Sequence, residues 1–118
     1  MQTFYFLSNC NTCKLIQSKL NLPQNVKIVN IKEAPLTSEI LEHMKNLAGS
    51  YEDLFSKRAQ LYKKLKLKEK KLSEDDYKSF LLKSYTFLKR PVLIYDEHIF
   101  IGNNKSIVEA AKKFLDEK

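Results

Sequence analysis

The sequence predicts an α/β protein in which a mixed four-stranded sheet is flanked by helices. Four short apolar runs, rich in β-branched and aromatic residues, are typical of strands, and segments with helical periodicity lie between and after them. The predicted order is β-α-β, then helices, then β-β-α. An early β-α-β unit favours a parallel strand pair, and a late tight connection favours an antiparallel hairpin.

The first predicted unit is β-α-β. The run TFYFL predicts a strand at 3–7, and the run VKIVNI predicts a second strand at 26–31. Residues 12–21 have the periodicity of a helix, with Leu15 and Leu20 among the residues on its apolar side. This unit carries the first helix directly after the first strand.

The middle of the chain is predicted to be helical. Thr37 or Ser38 can cap a first helix, because their side-chain oxygens can accept from free backbone N–H groups. A Lys-rich helix is predicted at about 57–68. The run SEDD at 73–76 then places a capping serine and three acids at the start of another helix, which runs to about Tyr85.

The C-terminal part is predicted as a hairpin followed by a helix. The runs PVLIYD at 91–96 and HIFIG at 98–102 are predicted strands with a short connection. Ser106 and Glu109 have the spacing of a capping box at the start of the last helix.

The charge balance is basic, with a net charge of +7 from 21 basic and 14 acidic residues. All basic residues except Arg58 and Arg90 are lysines, and Lys63–Lys71 is the densest run. Leu61, Leu65 and Leu72 recur through that run at roughly helical spacing, which predicts a solvated helix face. Without interleaved arginines or a known binding motif, the sequence does not favour direct binding of nucleic acid.

Membrane and export functions are not favoured by the sequence. No apolar run approaches the roughly 20 residues needed to span a bilayer, and the N-terminus lacks the basic flank of a signal peptide. We therefore expect a cytoplasmic protein that does not act at a membrane. In that reducing compartment, a close cysteine pair is more often catalytic, redox-active or metal-binding than a permanent disulfide.

The two cysteines of the chain, Cys10 and Cys13, lie in the turn between the first strand and helix. Three interpretations are open. A zinc site would need further ligands, and His43 and His98 have no paired spacing. The pair could also be two buried structural thiols. A redox or nucleophilic centre is favoured, because the start of a helix stabilises a thiolate, and we predict no metal.

The expected roles differ between the two cysteines. Cys10, before the helix, would be the exposed nucleophile, and Cys13, about one turn further on, would be the resolving thiol. Thr12 is a candidate cap for the helix, and Asn11 keeps the turn polar.

A second candidate feature is the dipeptide Arg90-Pro91. Pro91 can simply begin a strand, where a missing N–H is tolerated. Alternatively, it is a cis proline that faces the cysteines and shapes a substrate groove. Arg90 could then hold an oxyanion or a thiolate near Cys10 by charge and forked hydrogen bonds.

The element order, with Cys-x-x-Cys in the first β-α turn, suggests a thioredoxin-like domain. Nearly the whole chain resembles the arsenate reductase (ArsC)/Spx family of thioredoxin-fold proteins. The resemblance is carried by FYFLSNCNTCKLIQSKL at 4–20, DLFSKRAQLYKKL at 53–65 and LKRPVLIYDEHIFIGNNKSIVEAAKKFL at 88–115. The two arginines of the chain, Arg58 and Arg90, both fall on family positions.

This resemblance implies a single thioredoxin-like domain over residues 1–118, with a helical insertion at about 34–88. It also implies that Cys10 is the nucleophile and that Arg90, assisted by Arg58, stabilises an anion. Glutathione, glutaredoxin or thioredoxin would supply reducing equivalents, with glutathione as a candidate co-substrate and no bound cofactor.

The resemblance is closer to the Spx-like and uncharacterised branch than to classical arsenate reductases. Ser56 stands where the reductases have an arginine, and FIGNNKS, which includes Gly102 and Asn103, lacks their further arginine after the hairpin. We therefore expect a thiol–disulfide oxidoreductase that resembles arsenate reductases. The alternatives are an Spx-like redox-sensing regulator that binds the RNA polymerase α subunit, and a family member whose thiols no longer react.

Overall fold

A computed structural model describes residues 2–118 and divides the chain into two compact units. The first unit contains the residues up to Ala34 together with Arg90–Lys118, and the second contains Pro35–Lys89. The prediction of one domain with an insertion at about 34–88 stays a prediction. The strands and helices are β1 (Gln2–Phe6), α1 (Asn11–Leu20), β2 (Lys27–Asn30), α2 (Ser38–Ala48), α3 (Gln60–Lys64), α4 (Glu74–Lys83), β3 (Val92–Tyr95), β4 (His98–Ile101) and α5 (Lys105–Asp116).

The first unit contains the mixed four-stranded sheet that the sequence predicts, with strand order β2-β1-β3-β4. β1 pairs in parallel with β2 and antiparallel with β3, and β3 and β4 form the predicted hairpin. Because β1 and β2 run in the same direction, the residues that follow them lie at the same end of the sheet. Cys10 follows β1, so this end of the sheet carries the cysteine pair.

Helices α1 and α5 pack together and supply one side of the core of this unit. In α1 the buried residues are Cys13, Ile16 and Leu20, which recur at helical spacing. The helix ends where Asn21 adopts a left-handed conformation with φ of 48°. The core cluster is completed by Val26, directly before β2, and by residues of β1, β3 and α5, namely Phe4, Leu93, Tyr95, Ala111 and Leu115.

The second unit has an aromatic core around Phe55, which is 1% exposed. Its ring stacks on Phe87 with centroids 5.0 Å apart and meets the edge of Tyr77 at 4.9 Å. The backbone beside these rings is joined by a hydrogen bond from the Ser56 N–H to the Phe87 carbonyl, 2.6 Å long. Aromatic pairs of this kind add roughly 0.5–1.5 kcal/mol beyond their buried area.

The carboxylate of Glu74 provides a further connection within the second unit. It accepts hydrogen bonds from the backbone N–H groups of Tyr51 at 2.7 Å and Glu52 at 3.1 Å. These N–H groups begin the 3-10 helix Glu52–Leu54 and have no partner inside it. Glu74 therefore caps one helix while it belongs to the first turn of another, α4.

The Lys-rich segment is not the long helix predicted at about 57–68. Only α3 is α-helical there, because Lys66 adopts a left-handed conformation with φ of 55° and the chain turns. The buried leucine is Leu67, in a short 3-10 helix, whereas Leu65 is 46% exposed. The helix predicted from the leucine spacing was therefore wrong, although the lysines of this segment are exposed as expected.

Two details of helices α1 and α5 also differ from the predictions. Leu15 is 64% exposed rather than part of the apolar side, because the buried face of α1 runs through Ile16. The cap of α5 is Asn104, whose side chain accepts from the Ser106 N–H at 3.0 Å, so the predicted Ser106 capping box is wrong. In contrast, Thr37 caps α2 as predicted.

Candidate functional site

Cys10 occupies the N-cap position of α1, directly after the turn that leaves β1. Its N–H donates to the Leu7 carbonyl at 3.0 Å, and its own carbonyl accepts from Lys14 at 3.2 Å. Its Sγ accepts a hydrogen bond from the N–H of Cys13, at 3.4 Å. A cysteine sulfur thus takes the place that a Ser, Thr, Asn or Asp oxygen usually has at a helix start.

The surroundings of Cys10 favour its thiolate. Partial burial raises the pKa of the Cys10 thiol, but this effect is outweighed by other groups. Hydrogen bonds from the backbone and side chain of Cys13, the charge of Arg90 and a hydrogen bond from the Thr12 backbone together lower the pKa below its usual value. The half-buried Cys10 thiol is therefore the more acidic of the pair.

Cys13 has the opposite environment. Its side chain is 0% exposed, and burial raises the pKa of its thiol to about 11. The hydrogen bond that it donates to the Cys10 sulfur and the negative charge there contribute to this rise, whereas the Leu7 backbone and Arg90 oppose it. Both cysteines are free thiols, so the pair combines an acidic, accessible sulfur with a protonated, buried one.

The peptide bond between Arg90 and Pro91 is cis, which was the second of the two interpretations of Pro91. Pro91 is buried, and its carbonyl accepts a hydrogen bond from the Gly102 N–H at 2.8 Å, which places the start of β3 beside the end of β4. The positive charge of Arg90 lowers the pKa of both cysteines. The structure therefore brings together three of the predicted site residues, Cys10, Cys13 and Arg90.

The two residues between the cysteines are exposed in the first turn of α1. Thr12 was predicted as a cap, but Cys10 has that position, and Thr12 contributes its backbone N–H to the Cys10 sulfur instead. Asn11 is the first residue of the helix. The turn is polar at both positions, and neither side chain has an acidic group that would oppose a thiolate.

The structure shows no role for the other candidate residues, Arg58, His43 and His98, which are distant from the cysteines in the sequence. Arg58 is exposed in the second unit, in the turn before α3, and its contribution to an anion site stays a prediction. His43 belongs to α2 and His98 begins β4. Within residues 2–118, no group of three or more His, Cys, Asp and Glu side chains could hold a metal ion.

Asn30 was not predicted as a site residue, although it supports the cysteine loop. Its side-chain oxygen accepts from the N–H of Ser8 at 3.3 Å and from the N–H of Lys32 at 3.2 Å. This oxygen joins the loop after β1 to the loop after β2. The sequence contained a usable signal, since the ends of two adjacent parallel strands lie together.

Known proteins are similar to this chain over most of its length. The sequence profile of the ArsC family matches residues 5–111. The global transcriptional regulator Spx of Streptococcus mutans is 26% identical over 112 residues, which cover 93% of this chain and 82% of the regulator.

Solved structures show the same fold. A protein from Streptococcus mutans UA159 described as a possible arsenate reductase is 29% identical, with a TM-score of 0.71 over 89% of this chain and 92% of that one. An ArsC family related protein from Bacteroides fragilis is 22% identical, with a TM-score of 0.78 over 93% and 96% of the two chains. The predicted thioredoxin-like fold is confirmed, and the chain belongs to the ArsC family.

Proposed function

We propose that this protein is a thiol–disulfide oxidoreductase in which Cys10 is the nucleophile and Cys13 is the resolving thiol. The observation that carries the proposal is the unequal cysteine pair at the start of α1. The Cys10 sulfur accepts the Cys13 N–H and has a lowered pKa, whereas the pKa of buried Cys13 is raised. A nucleophilic cysteine needs an accessible sulfur with a lowered pKa, as Cys10 has. A resolving cysteine reacts only in the second step, so the buried, protonated state of Cys13 is compatible with that role.

The reaction has two exchange steps. The Cys10 thiolate attacks one sulfur of a substrate disulfide, forms a mixed disulfide and releases the first substrate thiolate. Cys13 then loses its proton and attacks the Cys10 sulfur, which forms the Cys10–Cys13 disulfide and releases the second thiolate. The substrate gains two electrons and the protein loses two, so an external thiol such as glutathione, glutaredoxin or thioredoxin must regenerate the protein.

The other candidate residues have supporting roles in this proposal. Arg90 stabilises the thiolate before attack, through the charge that lowers the Cys10 pKa. Pro91, Asn11 and Thr12 shape the surface that a substrate disulfide contacts. Arsenate is a second substrate to test, because the chain shares a family with proteins described as arsenate reductases.

A direct test is the reaction of the fully reduced protein with a small disulfide, followed by mass spectrometry. We expect wild type to end with an internal disulfide, and the Cys13→Ser variant to accumulate a mixed disulfide on Cys10. The Cys10→Ser variant should react with neither disulfide nor arsenate. If wild type turns over no disulfide and no arsenate with any thiol reductant, the proposal is wrong.

A second candidate function is redox-controlled binding of RNA polymerase. It is favoured by the similarity to Spx regulators, which covers 93% of this chain. In this function the Cys10–Cys13 disulfide would change the affinity for the polymerase α subunit. Purified α subunit should then bind oxidised and reduced protein with different strength, and the Cys10→Ser variant should lose the difference. Equal affinity of both forms would exclude this function.

A further inference from the structure

Strand β2 forms one edge of the sheet, so one side of its backbone faces outward. The Ile31 N–H donates to the Phe6 carbonyl at 2.9 Å, so Ile31 directs its N–H towards β1. Because backbone direction alternates along a strand, Val29 does the same, whereas the N–H groups of Ile28 and Asn30 point away from β1. The Asn30 carbonyl is used by the turn that follows β2. Ile28 therefore presents both a donor and an acceptor at the edge.

An open cavity of about 640 Å³ lies between this edge strand and α1. Ile28 is the strand partner of Phe4, which belongs to the core on the α1 side, so the Ile28 side chain lies on that face of the sheet. It is 42% exposed there, because α1 does not cover the edge strand. The cavity is apolar at the loop after α1 and polar along α1, and its lining includes Leu22, Pro23, Val26, Lys14, Ser18 and Asn21.

The part of the chain around this groove is basic. Glu33 is the first of the 14 acidic residues, and the charged residues before it are Lys14, Lys19, Lys27 and Lys32. Lys27 is exposed in β2, and its side chain lies on the face opposite to that of Ile28, because successive side chains alternate across a strand. A strand added at this edge would therefore meet an apolar surface on one face and a positive charge on the other.

We propose that the β2 edge binds an extended segment of a partner protein in which apolar and acidic side chains alternate. The segment adds to the sheet antiparallel to β2, and one of its residues exchanges two hydrogen bonds with Ile28. Its apolar side chains fill the groove beside Ile28, and its carboxylates lie near Lys27. Because this binding requires no reaction of the cysteines, it goes beyond the proposed function and does not depend on it.

A second copy of this chain fits the edge less well than an acidic segment does. Two copies paired through β2 would bring two Lys27 side chains to the same face, and no carboxylate precedes Glu33 to compensate them. A lysine on an edge strand is a common means of preventing such self-association. The same charge attracts a strand that carries carboxylates, so charge complementarity favours the acidic partner.

Short peptides with blocked ends provide the probes. The first alternates glutamate with valine, the second alternates lysine with valine, and the third is the first with every valine N-methylated. Binding to the wild-type protein is followed by amide hydrogen exchange, measured by NMR. With the acidic peptide at about ten times its Kd, exchange at the N–H groups of Ile28 and Asn30 should slow about 10-fold. The Val29 N–H is directed towards β1 and serves as the internal control.

The other peptides and three variants locate the contact. The lysine peptide and the N-methylated peptide should bind at least about 10-fold more weakly, because one opposes Lys27 with like charges and the other lacks N–H groups for Ile28. Lys27→Glu should remove most of the preference for the acidic over the lysine peptide. The matched Lys113→Glu, on α5 beside the opposite edge strand β4, should keep it. Ile28→Pro should abolish binding, since proline removes the outward N–H and leaves the bonds to β1.

Slower exchange at Ile28 and Asn30, with the stated order of peptides and variants, would support the proposal. It is wrong if the acidic peptide leaves that exchange unchanged, or if the N-methylated peptide binds equally well, since no strand is then added. The N-methylated peptide tests the same hydrogen bonds on wild type should Ile28→Pro not fold. Equal weakening by Lys27→Glu and Lys113→Glu would also overturn it, because the attraction would then come from net charge alone.

Sedimentation of the peptide-free protein tests the competing occupant of the edge. We expect a monomer over a wide range of protein concentration. A dimer that Lys27→Glu strengthens, by pairing the new carboxylate with lysines of the other copy, would assign the edge to a second copy and overturn the proposal. None of these outcomes bears on disulfide exchange at Cys10, so the proposed function stands or fails separately.

Discussion

The two cysteines should differ strongly in reactivity, and the size of the difference follows from their pKa values. The test uses the single variants Cys10→Ser and Cys13→Ser, each with one thiol left. The pKa of the Cys10 thiol is lowered from a usual value of 9.0, at which about 1% of a thiol is ionised at pH 7, so more than about 1% of Cys10 is thiolate. For Cys13, with a pKa of about 11, the thiolate is about 0.01% of the total.

Ionisation alone therefore favours Cys10 by at least about 100-fold. A more basic thiolate is intrinsically more nucleophilic, which offsets about 6- to 10-fold of this advantage and leaves Cys10 at least about 10-fold more reactive. The complete burial of Cys13 adds to that factor, since the reagent must reach the sulfur.

The assay is alkylation by iodoacetamide at pH 7, followed by mass spectrometry. Cys13→Ser should be labelled at least about 10-fold faster than Cys10→Ser in the native state, and the two rates should become similar in guanidinium. The rate of labelling at Cys10 should follow a pH midpoint below 9.0, the usual value from which its pKa is lowered. Native rates that differ by less than about threefold would refute the assigned environments of both sulfurs.

Three further predictions concern charge, packing and capping. Arg90→Gln should raise the Cys10 pKa and slow alkylation at pH 7, and an unchanged pH midpoint would contradict the contribution of that charge. Phe55→Ala should lower the free energy of unfolding in urea by about 3–5 kcal/mol, because it empties the aromatic core; a loss below about 1 kcal/mol would contradict that packing. Glu74→Ala should cost about 1 kcal/mol by the same measurement, with Glu74→Gln intermediate, and equal stability of all three proteins would argue against the cap.

The pH dependence of stability has a definite sign. Burial raises the pKa of Cys13 to about 11 in the folded protein, above the value of about 8.5 for an unfolded thiol. Its contribution to stability is therefore fully present below pH 8.5 or so and is lost as pH rises towards the folded value. Wild type should lose more unfolding free energy between pH 8 and pH 10.5 than Cys13→Ala does, and parallel losses would contradict the raised pKa.

Much of the sheet could be predicted because its signals are local. Each strand is an apolar run, the β-α-β order favours a parallel pair, and the short connection at Asp96 favours a hairpin. The position of Cys10 at a helix start followed from the same patterns. The role of its sulfur as the cap did not, because Thr12 is the more usual capping residue type.

Other features could not be predicted because they depend on distant parts of the chain or on one backbone angle. The left-handed conformation of Lys66 stops the helix, and as a result Leu67 is buried and Leu65 is exposed. Glycine or asparagine at this position would have indicated a left-handed conformation, but lysine does not. The place of Asn30 at the cysteine end of the sheet could be inferred from the parallel strand pair. The N–H groups from which its side chain accepts, those of Ser8 and Lys32, depend on the backbone of two loops.

The hydrogen bond from the Cys13 N–H to the Cys10 sulfur links helix stability to electron transfer. A thiolate accepts this hydrogen bond better than a disulfide sulfur does, because the disulfide has no charge. In a closed thermodynamic cycle, whatever stabilises the folded reduced protein more than the folded oxidised protein also makes the disulfide easier to reduce. The Cys13 amide is therefore a natural spectroscopic reporter, whose proton resonance and hydrogen-exchange rate should follow the oxidation state of the pair.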